Sequence, residues 1–168
     1  LPADALEEAR KKLLSAPGAD LVSRNRAFHR LLVDQVNVEV RREDREIRGE
    51  FVQVIDFDRP ERNDFRVIHQ FIVTDGKHQR RADVVLFVNG LPLAILELKN
   101  AADENASIWG ALTQLQNYQR EVPELFVPNV FSVATEGKEY RYGAVGMPVD
   151  LWGPWRLAEE DALSAMAQ

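Results

Sequence analysis

Cysteine is absent from the 168-residue chain, which excludes disulfide scaffolds, thiolate zinc sites and iron–sulfur clusters and fits a reducing, cytoplasmic setting. Long apolar runs are missing too. The longest, Leu91-Pro92-Leu93-Ala94-Ile95-Leu96, breaks at Glu97, well short of the roughly 20 residues that span a bilayer, so no membrane partner is expected. The opening residues Leu1-Pro2-Ala3-Asp4 show neither an initiator Met nor the basic-then-apolar pattern of a secretory leader. The nine glycines form neither a GxGxxG fingerprint nor a phosphate loop, so no ATPase motor is expected in this stretch. No serine sits in GxSxG, and His29, His69 and His78 make no HExxH, which disfavours triad and zinc hydrolases.

Positive charge is also in short supply. The net charge is −6, with most of the negative excess after residue 60 and part of it in Glu159-Glu160-Asp161. Such a chain is no autonomous nucleic-acid wrapper, because neutralisation of phosphates by Lys and Arg dominates non-specific binding. Any contact with DNA must come from a local basic strip or from partner subunits.

What is present is the composition of one globular domain: 45% hydrophobic and 29% charged residues, with a length near the ~150 residues of a typical unit. Leu6, Ala9, Leu13 and Leu14 recur at helical spacing until Pro17-Gly18. Residues 23–34 repeat the sign, with Ser23 as N-cap and Ala27, Phe28, Leu31 and Leu32 as the apolar stripe. From Val36 the period drops to two, predicting strands around Val36–Val40, Phe51–Ile55 and Phe65–Val73. Glu43-Asp44-Arg45, the stretch from Asp58 to Asn63, and Asp75-Gly76 are the turns between strands. Val84–Val88 and Leu93–Leu98 are near-continuous apolar runs, as expected of central strands buried on both faces. A helix follows on Ile108, Ala111, Leu112 and Leu115, then a strand pair at Val130–Ala134 and Tyr140–Val145, and a peripheral helix from Pro154. Strands flanked by helices predict an α/β or α+β domain over residues 1–150, helical to about 35 with a core over 36–146, and a tail at 151–168.

The informative constellation is Asp83 with Glu97-Leu98-Lys99. Residues two apart on a strand share a face, so Glu97 and Lys99 project together while Leu96 and Leu98 turn to an apolar layer behind. A three-residue turn at Asn89-Gly90-Leu91 would set Asp83 across from Glu97, with facing Cβ atoms about 5 Å apart. A two-residue turn would send Asp83 to the other face, so an odd-length turn or a compensating bulge is required. Two carboxylates so placed supply half the shell of a hard divalent cation, Mg²⁺ being the natural occupant. Its bound water would become more acidic, and the adjacent ammonium could orient that water or hold a phosphate oxygen. The same spacing also fits a Glu97–Lys99 or Asp83–Arg81 salt bridge amid ordinary surface charge. Gln114 and Tyr118, at i and i+4, share one face of the following helix and point toward Lys99.

These residues resemble a known family. Asn25-Arg26-Ala27-Phe28-His29-Arg30-Leu31-Leu32, Ile55-Asp56-Phe57-Asp58 with Asn63-Asp64-Phe65, the run from Arg81 to Pro92, Glu97-Leu98-Lys99, and Gln114 with Tyr118 together resemble the N-terminal nuclease domain of type I restriction endonuclease R (motor) subunits, over roughly residues 20–145. That family belongs to the PD-(D/E)xK nucleases, whose fold is a central mixed β-sheet flanked by α-helices. The resemblance implies Mg²⁺ ligands at Asp83 and Glu97 with the Leu98 carbonyl, Mn²⁺ as a substitute ion, Lys99 as catalytic lysine, and Gln114 and Tyr118 as the accompanying QxxxY pair. It implies cleavage of double-stranded DNA in a complex with methylation and specificity subunits, with ATP used only by motor domains outside this chain. Lys77, Arg80 and Arg81 form the best phosphate-facing strip; Arg41, Arg42, Arg45 and Arg48 are interleaved with Glu39, Glu43, Asp44 and Glu46 and read as a solvated face. Two departures stand out: the Pro usual before the Asp is Ala82, and no early acidic residue matches the extra acid of many related nucleases. The rival expectation is a non-catalytic module of the same fold that couples a motor to its partners.

Overall fold

The computed structural model describes residues 1–41, 46–100 and 107–155. The expected turn at Glu43-Asp44-Arg45, the positions of Arg42 and Arg45, and the helix expected beyond Pro154 lie wholly or mostly outside these residues.

The architecture is α/β. Helices α1 (Ala3–Leu14) and α2 (Leu21–Val33) lead into β1 (Val36–Arg41) and β2 (Ile47–Val52), then β3 (Phe65–Asp75), β4 (His78–Val88), β5 (Leu91–Leu98), helix α3 (Ile108–Glu121), β6 (Phe131–Thr135), β7 (Tyr140–Gly143) and the two-residue β8 (Gly153–Pro154). The last six strands form one sheet in the order β3-β4-β5-β6-β7-β8. The β5–β6 pair is parallel and the others antiparallel. A parallel neighbour needs a crossover, and α3 supplies it.

The strands β1 and β2 stand apart as their own antiparallel sheet, although their alternation reads no differently from that of β3. The alternation of β1, with Val36, Val38 and Val40 buried, covers Ala5 and Ala9 of α1 in a separate core. Helix α2 starts at Asp20, not Ser23: the Asp20 carboxylate accepts from the Ser23 amide at 2.7 Å, and the Ser23 hydroxyl faces the Asp20 amide at 3.1 Å. Ser23 is thus the reciprocal half of a capping box, not the cap itself.

Helix α3 is placed by its apolar stripe. Ile108, Ala111, Leu112, Leu115 and Tyr118 are buried against Val85, Ile95 and Ala134 of the sheet and Phe126 beyond it. Burying Leu112, Leu115, Ile95 and Phe126 contributes about 1.5–3 kcal/mol each. Helix α2 is tied to the other end by Asn25, whose buried amide NH₂ donates to the carbonyls of Phe126, Val127 and Asn129. Two hydrogens shared among three acceptors leave that group fully satisfied. No helix among the described residues is long and apolar enough to cross a membrane.

Candidate active site

The β4–β5 hairpin sets the site. Asn89 and Gly90 both have positive φ, 50° and 81°, which suits a tight two-residue turn. Val88 pairs with Leu91 and Phe87 with Pro92, and then the register jumps so that Leu86 pairs with Ala94. Leu93 is the extra residue, so a one-residue bulge restores the parity that a two-residue turn would have lost. Beyond the bulge Val84 pairs with Leu96, and the next positions are Asp83 and Glu97.

The ladder stops there. The Asp83 carboxylate takes the Leu98 amide at 2.9 Å through Oδ2 and the Gln70 side-chain amide at 3.1 Å through Oδ1. Glu97 faces the core beneath α3 and is 1% exposed. Leu98, its neighbour, is 46% exposed, so the apolar layer lies on the side of the carboxylates and not behind Leu96 and Leu98 as alternation had suggested. The helix α3 packs on this face, and its cover is what buries Glu97.

That burial has an electrostatic consequence. Desolvation first, and the nearby Asp83 charge second, raise the Glu97 carboxyl from its ordinary 4.5 to about 7, against the opposing pull of Lys99. Lys99 Nζ lies 3.5 Å from Glu97 Oε1, and Glu97 Oε2 is buried with no hydrogen-bond partner. The expected salt bridge therefore exists, but it is long and engages one oxygen only. No Asp83–Arg81 pair forms among the described residues.

Gln114 and Tyr118 stand on the face of α3 that looks at Lys99, as their spacing predicts. Their hydrogen bonds run along a chain: Lys99 Nζ donates to Gln114 Oε1, Gln114 Nε2 donates to Tyr118 Oη at 2.6 Å, and Tyr118 Oη donates to the Arg81 carbonyl at 3.2 Å. Burial raises the Tyr118 phenol above its ordinary value, which keeps the donated proton in place. Neither side chain hydrogen-bonds to Asp83 or Glu97; the pair holds Lys99 and ties α3 to β4.

The basic strip divides. Arg80 donates to Glu121 of α3 at 2.5 Å and to the Gln79 carbonyl, and the Arg80 bond is what depresses the Glu121 carboxyl. Lys77, in the β3–β4 turn, and Arg81 are exposed, with no ion-pair partner among the described residues. Arg48 pairs with Glu46 at 3.1 Å, as a solvated face would.

Several motif residues build structure. Asn63 donates to the Asp56 and Pro60 carbonyls and accepts from the Asp56 amide, while Asn89 donates to the Val54 carbonyl and to Asn63 and accepts from the Asp64 amide. These bonds clasp the loop before β3 to the β4–β5 turn. Gln70 is the site neighbour that the sequence did not mark, since a polar residue inside a strand run carries no signal of its own. Among the described residues no group of three His, Cys, Asp or Glu converges.

Comparison with known proteins gives the family. The family described as type I restriction enzyme R protein N terminus matches residues 2–148. A type I restriction enzyme HindI endonuclease subunit from Haemophilus influenzae is 34% identical over 166 residues, covering 98% of this chain and 16% of that protein. A putative type I restriction enzyme MjaIXP endonuclease subunit from Methanocaldococcus jannaschii is 29% identical over 154 residues, covering 90% of this chain and 15% of that protein. The chain thus spans about a sixth of the length of these curated relatives. On the family match over nearly its whole length, the chain belongs to the N-terminal domain family of type I restriction enzyme R proteins.

Proposed function

We propose that this domain cuts double-stranded DNA as the Mg²⁺-dependent nuclease of a type I restriction enzyme R subunit, with the PD-(D/E)xK site formed by Asp83, Glu97 and Lys99. The observation that carries the reading is the unpartnered Glu97 Oε2, buried beside a second carboxylate. A buried carboxylate oxygen without a donor is costly, and a cation between the two acids is the group that would remove the cost. Asp83, Glu97 and the Leu98 carbonyl offer the oxygen ligands such an ion prefers, with the remaining positions left to water and phosphate.

When bound, Mg²⁺ supplies positive charge to the phosphate under attack and acidity to a neighbouring water. Lys99 contributes the second positive charge, held by Gln114 at a place where it can meet a non-bridging oxygen or orient the attacking water. Tyr118 and Gln114 act on the reaction through Lys99. Exposed Arg81 and Lys77 meet the DNA backbone, whereas Arg80 is engaged by Glu121. With a net charge of −6, the domain leaves most of the duplex affinity to the rest of the enzyme. Methylation and specificity subunits, and ATP-using motor domains outside this chain, complete a cytoplasmic defence against foreign DNA.

Calorimetric titration with Mg²⁺ or Mn²⁺ tests the reading. The wild-type chain is expected to bind the ion at one site that Asp83→Ala eliminates. Equal heats from both proteins would reject it.

A further inference from the structure

Gln70 has a backbone that strands do not use. Its φ is 55°, in the left-handed region that a non-glycine residue enters only when its surroundings hold it there. The register of β3 on β4 is constant on both sides, with His69 opposite Val84 and Phe71 opposite Ala82, and the Gln70–Asp83 position between them is the one missing from the ladder.

Burial changes sense at the same place. Residues 65–70 of β3 are exposed on both faces, whereas alternate residues from Phe71 onward turn inward. On β4, Ala82 and Val85 are both fully buried in one core, although residues three apart on a regular strand face opposite ways. The two strands thus switch faces together across Gln70 and Asp83. Within this kink the Gln70 amide reaches Asp83 Oδ1, and the Leu98 amide reaches Oδ2. A carboxylate oxygen only accepts, so the NH₂ end of Gln70 is the end that faces it.

We infer that Gln70 is a positioning residue of the cation site: its backbone kink presents the side-chain amide to Asp83, and that amide holds the carboxylate beside Glu97. This rests on the proposed function, because the positioning is toward the divalent ion assigned there. Ligating carboxylates are commonly oriented by such outer hydrogen bonds, and losing one typically weakens metal affinity 10–100-fold.

The test is Gln70→Gly in the full 168-residue chain, read by calorimetric Mn²⁺ titration and thermal unfolding. Glycine accepts φ near 55° without strain, so the kink and the melting temperature are retained while the amide is lost. The dissociation constant for Mn²⁺ is expected to rise about tenfold, and a rise of threefold or more supports the inference. Gln70→Asn tolerates the same backbone but is one methylene short, and should weaken binding to the same extent. Affinity within threefold of wild type in both variants, while Asp83→Ala abolishes binding, overturns the role of Gln70 and leaves the nuclease reading intact. Absence of any Mn²⁺ site in the wild-type chain overturns both.

Discussion

Lys99→Ala in the assembled restriction enzyme is expected to lower DNA cleavage by about 10²–10³-fold, the usual effect of removing one group that stabilises developing charge. ATP hydrolysis, which the proposed function leaves to domains outside this chain, should be unchanged, which separates loss of the cut from loss of the complex. The size of the effect follows from position. Lys99 Nζ is within 3.5 Å of a carboxylate that is 1% exposed, and it donates a second hydrogen bond to Gln114 Oε1. Water cannot replace a fixed charge in that place at equal strength. Cleavage at the wild-type rate would reject Lys99 as a catalytic residue and favour the coupling-module reading. Gln114→Ala should fall between the two, because it releases Lys99 without removing its charge.

The second large effect concerns stability. The Glu97 carboxyl is raised from 4.5 to about 7, by burial first and by the Asp83 charge second. Between these values the folded chain keeps a proton that the unfolded chain gives up, so stability falls as pH rises from 4.5 to 7 and levels off above. The loss is on the order of 3 kcal/mol, at 1.36 kcal/mol per pKa unit. Glu121 and Glu124 are shifted the other way by Arg80 and Arg24; their contribution is present above the ordinary carboxylate value and is lost as pH falls below it, outside this window. Glu97→Gln removes the charge and keeps the shape. At pH 8 without metal it should melt about 5–10 °C above wild type, the gap closing toward pH 4.5. Added Mg²⁺ should raise the wild-type melting temperature and leave the variant's unchanged. Parallel melting curves across pH would mean that Glu97 does not carry the shift.

Much of this site is legible in the sequence, and the reason is parity. A strand alternates strictly, so Asp83 and Glu97 can meet only if one residue is gained or lost between them. An odd-length turn and a bulge satisfy that parity equally well. The structure uses the bulge because Asn89 and Gly90 both accept positive φ, which closes the turn in two residues and leaves Leu93 as the surplus. Leu93 packs on the cluster around Phe28 and Leu32 of α2, a contact between segments about 60 residues apart that no local pattern encodes. The same limit hides that β1 and β2 form a sheet of their own: alternation reports that a strand has one covered face, not which partner covers it. In sequence Ser23 reads as an N-cap because Asp20 and Ser23 are both capping residues three apart, and only the hydrogen bonds assign the roles. Arg80 and Arg81 look equivalent in sequence, yet one reaches Glu121 across the fold and the other does not.

Anomalous scattering from a crystal of this chain soaked in Mn²⁺ tests the central claim most directly. One peak is expected between Asp83 and Glu97, about 2.1–2.2 Å from an oxygen of each and from the Leu98 carbonyl. A soaked crystal with no peak there, and with Glu97 Oε2 still bare, would contradict it.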